Sequence, residues 1–188
     1  MGGSESMRIV GGKWAGVSLV SPGTRVRPTS EELRDRWLES LERDLKGARV
    51  LDLFAGTGAL GLEALSRGAA SVDFVENGAS ALHALKANIA NLRARNRTRL
   101  FKKDAFLFLE GIGPEGDPAV PPYDITFADP PYTSRAAERL VTLWRARRFS
   151  RVLTIEHPAD AKLPGRGRRL RTGDSAVTTF RLGPADSG

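Results

Sequence analysis

The chain has 188 residues, 40% apolar and 27% charged, as expected of one globular domain with a substantial core. Its 29 Lys and Arg, most of them Arg, outnumber 22 Asp and Glu to leave +7, which suits a polyanionic partner. It has no cysteine, excluding disulfides, thiolate chemistry and Cys-ligated zinc, and no apolar run approaches the ~20 residues of a membrane span. The opening Met1-Gly-Gly-Ser-Glu-Ser6 lacks the basic-then-apolar order of a signal peptide. A second Met at position 7 opens the patterned sequence, so residues 1–6 are expected to be a disordered lead or an expression remnant, and the cytoplasm is the expected compartment.

Residues 7–20 read as a short hairpin turning at Gly11-Gly12 or Ala15-Gly16. Thr29-Ser-Glu-Glu32 has the spacing of a capping box, with Thr29 as the cap. Leu33, Trp37, Leu41 and Leu45 then line one helical face, and Gly47 ends it. Residues 7–47 are expected to form an extension packed on the main domain, residues 48–188.

From residue 48 short apolar runs alternate with amphipathic stretches, the pattern of βα units and a mostly parallel sheet. The runs are 49–54, 71–76, 98–102, 123–128, 151–156 and 176–182. Leu82, Leu85, Ile89 and Leu92 share a helical face between the second and third. Ala137, Leu140, Val141 and Trp144 do so between the fourth and fifth, with Ser134 as the expected N-cap. Residues 111–122, rich in Gly and Pro, read as a surface loop. The Gly- and Arg-rich stretch 164–173 has no helical pattern, so the chain is expected to close on an antiparallel hairpin.

Val50-Leu-Asp-Leu-Phe-Ala-Gly-Thr-Gly-Ala-Leu-Gly61 is a buried strand entering a glycine-rich turn and then a helix. Gly56 and Gly58 permit a sharp turn and close approach of a ligand, and Gly61 falls where helix and sheet must pack tightly. The G-x-G-x-x-G spacing alone is a weak signal, strengthened by Glu76 at the end of the next strand, where a carboxylate can accept ribose hydroxyls. Asp52, ahead of the glycines, can hold the turn and face a cationic ligand better than a pyrophosphate. Asp104, after the third strand, can accept from an adenine amino group. Both aspartates also suit turn or cap positions.

Ile125-Thr-Phe-Ala-Asp-Pro-Pro-Tyr132 ends the fourth strand at the edge where open α/β sheets bind ligands. The amino group of a nucleobase is a poor nucleophile because its lone pair is delocalised into the ring. The Asp129 carboxylate and a carbonyl of the Pro130-Pro131 turn can accept its two hydrogens and localise that pair, since proline fixes φ and offers no competing donor. Tyr132 can stack on a base taken out of its helix. This chemistry needs no metal, and none is expected.

Together these features resemble the class I S-adenosylmethionine-dependent methyltransferases that methylate amino groups. Met7-Arg-Ile-Val-Gly-Gly-Lys-Trp14, Arg27-Pro-Thr29 with Arg34, Ala59-Leu-Gly-Leu-Glu-Ala-Leu-Ser-Arg-Gly-Ala-Ala70 and Glu156-His157 narrow the likeness. They resemble the bacterial 16S ribosomal RNA guanine-N2 methyltransferases named for guanine-966. The resemblance covers about residues 7–182. It implies a Rossmann-like α/β fold: a mostly parallel seven-stranded sheet, a C-terminal antiparallel hairpin and a short N-terminal hairpin-plus-helix extension.

It further implies S-adenosylmethionine as cofactor, with Asp52, Phe54, Ala55, Gly56, Thr57 and Gly58 cradling its methionine end. Glu76 and Asn77 would hold the ribose, and Asp104 with Ala105 the adenine. Arg27 and Thr29 would close over the cofactor, and Asp129, Pro130, Pro131 and Tyr132 would hold the target guanine. The implied partner is ribosomal RNA within an assembled or assembling 30S subunit, met by a monomer without membrane attachment. The family's aromatic–Asn pair in the first helix reads Leu38-Glu39 here, and its C-terminal Tyr-Gly-Asp-Thr reads Thr172-Gly-Asp-Ser175.

Arg166, Arg168, Arg169, Arg171, Arg145, Arg147 and Arg148, with Arg8, Lys13, Arg25 and Arg27, are candidates for a collar of phosphate contacts around the site mouth. His157 can touch substrate or serve as a satisfied structural histidine. The alternatives are N6-adenine methylation of DNA or RNA, protein-glutamine methylation, a catalytically silent RNA-binding module and a nicotinamide-dependent dehydrogenase. The glutamine enzymes typically carry Asn at the place of Asp129. A silent module would have a degraded cofactor site, and a dehydrogenase has no use for Asp129-Pro-Pro-Tyr132.

Overall fold

A computed structural model describes residues 7–21, 30–112, 121–132 and 135–183. The chain runs α1 (Glu31–Glu39), α2 (Glu42–Leu45), β1 (Arg49–Leu53), α3 (Ala59–Ser66), β2 (Ser71–Glu76), α4 (Ala79–Asn91), β3 (Thr98–Lys102), α5 (Ala105–Glu110), β4 (Tyr123–Ala128), α6 (Ala136–Arg147), β5 (Ser150–Pro158), β6 (Arg168–Thr172) and β7 (Ser175–Arg181). The strands form one seven-stranded sheet in the order β3-β2-β1-β4-β5-β7-β6. The first five are parallel, and β7 runs antiparallel to both β5 and β6. The mostly parallel sheet agrees with the pattern of apolar runs, and the whole is the Rossmann-like class I methyltransferase architecture that the family resemblance implies.

Strand alternation sends side chains to two cores. Val50, Phe74 and Phe127 face α1, α3 and α4, whereas Leu51, Leu53, Val75 and Leu153 face Leu140 and Trp144 of α6. Trp37 of α1 is fully buried, edge-on to Phe127 at 5.6 Å, and donates its indole hydrogen to Thr154 Oγ1 at 2.6 Å. An apolar body with one satisfied polar tip is what a buried tryptophan needs.

Several expectations are corrected. The helix cap is Ser30, whose hydroxyl accepts from Leu33 N at 3.1 Å, rather than Thr29. Leu33, Trp37, Leu41 and Leu45 are all buried, yet α1 stops at Glu39 and α2 carries Leu45. At the break Ser40 turns its hydroxyl back to Trp37 O at 2.6 Å. Arg135, without a side-chain cap, precedes α6, and Ser134 lies outside the described residues. The stretch 105–110 is helical as α5, too short and too apolar to show a period. The seventh strand, β6, lies within the Gly- and Arg-rich stretch and forms the hairpin with β7 about Gly173, whose φ is 55°. Among the described residues no helix is long and apolar enough to cross a membrane.

Residues 7–20 double back through one bridge, Arg8 to Ser18, with the 3-10 turn Gly12–Trp14 between the arms. The loop is clipped to α3. Buried Glu63 accepts from Val10 N at 2.8 Å and Gly11 N at 2.6 Å, and Ser66 Oγ accepts from Trp14 N at 2.9 Å. Buried Arg34 lies 3.6 Å from the Glu63 carboxylate and donates to Arg8 O. Burial weakens the hold of the guanidinium on its proton and Glu63 opposes that, the balance in a buried ion pair. The N-terminal segment is thus fastened by buried polar groups as well as by Ile9 and Leu19 in the core.

Candidate active site

Strand order reverses between β1 and β4, the switch point at which α/β sheets open a crevice beyond their carboxyl ends. Leu53 lies opposite both Val75 and Ala128. The chain therefore leaves the sheet at Phe54, Glu76 and Asp129 in three adjacent places, with Asp104 beyond β3 on the same edge.

The first exit is the glycine turn. Phe54 has φ of 58°, a costly value for a side chain with Cβ, and Gly56 and Gly58 follow at 55° and 80°. Ala55 N donates to Val75 O at 3.1 Å and Gly58 N to Ala55 O at 2.7 Å, folding the turn against β2. A Cβ on Gly58 would sit 2.3 Å from Leu85 Cδ1, so glycine is required by both φ and space. Asn88 Nδ2 donates to Thr57 O at 3.0 Å and fixes the turn from α4.

Three carboxylates surround this turn. Asp52 is 1% exposed and accepts from Gly61 N at 2.9 Å, tying β1 to the first turn of α3. Burial, joined by the nearby charges of Asp129 and Glu76, holds the Asp52 carboxyl well above the usual carboxylate range. Glu76 Oε2 accepts from Gly56 N at 2.8 Å, and its Oε1 accepts from Asn77 N at 2.9 Å and Gly78 N at 2.6 Å. The residue read as a ribose ligand thus also organises the glycine turn. Among the described residues neither Asp52 nor Glu76 has an ion-pair partner.

Asp104 caps α5, with Oδ1 accepting from Phe106 N at 2.9 Å and Leu107 N at 3.1 Å. Ala105 is buried as the first residue of α5. Phe106 stands edge-on to Phe54 at 6.1 Å, with the Arg139 guanidinium 3.9 Å above its ring. This aromatic wall escaped the sequence reading because α5 did.

Asp129 is half-buried, Pro130 buried and Pro131 exposed, so the turn after β4 lies at the surface of the crevice. The Tyr132 hydroxyl lies 2.7 Å from Glu156 Oε1 and 2.7 Å from Ser175 Oγ. Burial raises the phenol above its ordinary value, Glu156 adds to this, and the Ser175 hydrogen bond opposes it without reversing the shift. His157 is buried, with Nδ1 2.8 Å from Pro158 O and Nε2 2.8 Å from Thr178 Oγ1. A carbonyl only accepts, so Nδ1 carries the hydrogen and Nε2 accepts from Thr178. Both ring nitrogens are satisfied and burial lowers the pKa, which makes His157 structural.

Arg27 and Thr29, read as a lid over the cofactor, lie outside the described residues, as does Arg25. The collar of cations is largely dispersed. Helix α6 runs back to the amino edge of the sheet, so Arg145, Arg147 and Arg148 end beside Ser150, which is level with Tyr123 at the start of β4. A cleft of about 810 Å³ at that amino edge is lined by Lys46, Asp124, Arg148, Arg151 and Arg181 and lies at the opposite end from Asp129. Lys13 stacks over Trp14 at the far end of α3. Arg168 opens β6, opposite Thr179 and four residues short of the carboxyl edge, and Arg169 is turned onto the carbonyls of Ala159 and Ala161. Arg171 alone of the β6 arginines lies next to the carboxyl edge, beside Thr172, which accepts from Arg36 Nη1 at 3.2 Å.

Residues 7–177 match the family described as Conserved hypothetical protein 95. Ribosomal RNA small subunit methyltransferase D of Escherichia coli K12 is 37% identical over 142 residues, which cover 75% of this chain and 68% of that protein. The protein of the same name from Haemophilus influenzae is 32% identical over 183 residues, 94% of this chain and 92% of that one. A solved structure of a hypothetical protein from Thermus thermophilus superposes with a TM-score of 0.79 at 30% identity, over 94% of this chain and 99% of the other.

Proposed function

Because this chain belongs to the ribosomal RNA small subunit methyltransferase D family, we propose that it methylates the N2 amino group of a guanine, of the guanine-966 type, in 16S ribosomal RNA. The observation that carries this reading is the adjacency of the glycine turn and Asp129-Pro-Pro-Tyr132 across the β1/β4 switch point. The methyl donor is S-adenosylmethionine, which supplies an electrophilic methyl group on a sulfonium and needs no metal.

The residues present fit that group. The buried Asp52 carboxylate, crowded by Glu76 and Asp129, favours a ligand bearing positive charge over one bearing a pyrophosphate. Phe54, Ala55, Gly56, Thr57 and Gly58 form the tight turn along which the methionine end would lie, with no Cβ at Gly56 and Gly58 to hold it off. Glu76 Oε2 takes a single amide and retains a lone pair for a ribose hydroxyl, with Asn77 beside it. The cap of α5 uses only Oδ1 of Asp104, so Oδ2 and the Ala105 backbone are placed to meet the adenine. Arg27 and Thr29 would complete the enclosure.

At the other side of the switch point Asp129 accepts a hydrogen from the guanine N2 and stabilises the positive charge that develops on it as the bond to carbon forms. The carbonyls of the Pro130-Pro131 turn are rigid acceptors for the second hydrogen. Tyr132 provides a face for the extruded base. Catalysis is positioning and electrostatics, with the proton passing toward the Asp129 carboxylate. The +7 balance suits an RNA partner, and the substrate is the 30S subunit or its assembly precursor in the cytoplasm, engaged by a monomer.

The test is methyl transfer from labelled S-adenosylmethionine to 30S subunits lacking their own modifications, followed by nucleoside mass spectrometry. N2-methylguanosine is the expected product. N6-methyladenosine would keep the chemistry and overturn the substrate, and label in protein glutamine would overturn both base and partner.

A further inference from the structure

The exposed ring of Tyr132 ends in a hydroxyl that is held at two points inside the protein. Glu156 is 4% exposed on β5, and Ser175, 6% exposed, opens β7 opposite Pro158. Both meet the phenol oxygen at 2.7 Å. A phenol has one hydrogen: it goes to the carboxylate, the stronger acceptor, and the serine hydroxyl donates back to the phenol oxygen. A carboxylate at this depth is costly without such bonds, and a tyrosine on a surface turn does not itself require one.

We infer that Glu156 and Ser175 are positioning residues that set the plane of the Tyr132 ring for stacking on the target base; this rests on the reading of residues 129–132 as the base site. Pro130 and Pro131 restrict the backbone at one end of the tyrosine, and the two hydroxyl contacts fix the other. A ring held at both ends can meet a flipped base without first losing its own freedom. The antiparallel strand β7 thereby becomes part of the substrate half of the crevice, on the side of β4 away from the glycine turn.

The experiment is a double-mutant cycle on methyl transfer to 30S subunits with Tyr132→Phe, Glu156→Ala and the pair. Each single change should lower kcat by about tenfold or more, the scale of a displaced reactant, with little change in cofactor affinity. The double variant should be no slower than the worse single, and Glu156→Gln, which keeps an acceptor, should recover most of the loss. Effects that multiply independently, or a rise in KM with kcat unchanged, would overturn the assignment.

A second readout needs no substrate. The chain has two tyrosines, so carbon-13 labelling of their rings gives two sets of signals, with buried Tyr123 as the internal reference. Glu156→Ala should mobilise the Tyr132 ring and leave that of Tyr123 unchanged. An unaltered Tyr132 signal would overturn the positioning role whatever base the enzyme methylates. A wild-type enzyme that modifies another base would overturn the function and leave this readout standing.

Discussion

The Asp52 carboxylate and the Gly61 amide meet at 2.9 Å in the buried junction of β1 with α3. A Cβ at residue 61 would lie 2.4 Å from Phe74 Cε1, 2.8 Å from Val72 Cγ1 and 2.9 Å from Asp52 Oδ2. The third glycine of the motif therefore serves helix–sheet contact, and the first two serve the turn. Gly61→Ala should destabilise the protein by ~1–3 kcal/mol through overpacking, read as a lower urea midpoint with unchanged slope. It should also weaken cofactor binding, because the same contact sets the height of the turn.

Cofactor affinity should depend on pH through Asp52. Its carboxyl is held above the ordinary range, so the native state binds this proton more tightly than the unfolded chain does. The proton favours folding at low pH, and that contribution is lost as pH rises through the native pKa. A cationic ligand requires the ionised form. S-adenosylmethionine affinity measured by calorimetry should therefore increase as pH rises through this range, with protons released to the buffer. Asp52→Asn should bind more weakly and flatten the profile; an unchanged profile would remove Asp52 from the site.

Glu76 and Asp129 should separate binding from transfer. Glu76→Ala removes the acceptor of three turn amides and should weaken cofactor binding by ~1–3 kcal/mol or more. Asp129→Ala should abolish methyl transfer and leave cofactor affinity within about tenfold of wild type, the pattern of a group that acts on the acceptor. Loss of cofactor binding in Asp129→Ala would reassign the residue to the cofactor side.

His157 should make the fold acid-sensitive. Burial depresses its pKa below 6.5, so the unfolded chain takes up the proton more readily. Its contribution to stability is complete above pH 6.5 and declines as pH falls toward the native value. Urea unfolding of wild type and His157→Gln between pH 8 and 5 tests this: the difference in their pH slopes should appear only on the acid side.

Local patterns revealed much of the molecule. The runs 71–76, 98–102 and 123–128 coincide with β2, β3 and β4. Strands β2 and β4 lie inside the sheet and are mostly buried apolar segments bounded by turns, whereas β3 is an edge strand, only partly buried, marked by Leu100-Phe101 alone. Residue type and spacing also singled out Asp52, Gly56, Gly58, Glu76 and Asp129. Strand β6 was hidden because an edge strand exposes most of its side chains, and its arginines protect the open edge rather than display an alternation. The Thr29 cap failed because Thr29 and Ser30 are both good caps, and only the path of the preceding chain chooses between them.

The sequence by itself determined the βα rhythm, the glycine turn and the Asp-Pro-Pro-Tyr exit, since each depends on residues close together in the chain. Tertiary structure decided the groups that meet from afar: Glu76 on the amide of Gly56, Phe54 against Phe106, and Tyr132 on Glu156 and Ser175, 24 and 43 positions away. It also decided which cations share an edge with Asp129, sending the end of α6 to the opposite one. The physical reason is that charge and hydroxyl groups carry no period. Their partners are set by strand order and register, which hydrophobic burial selects only when the whole sheet assembles.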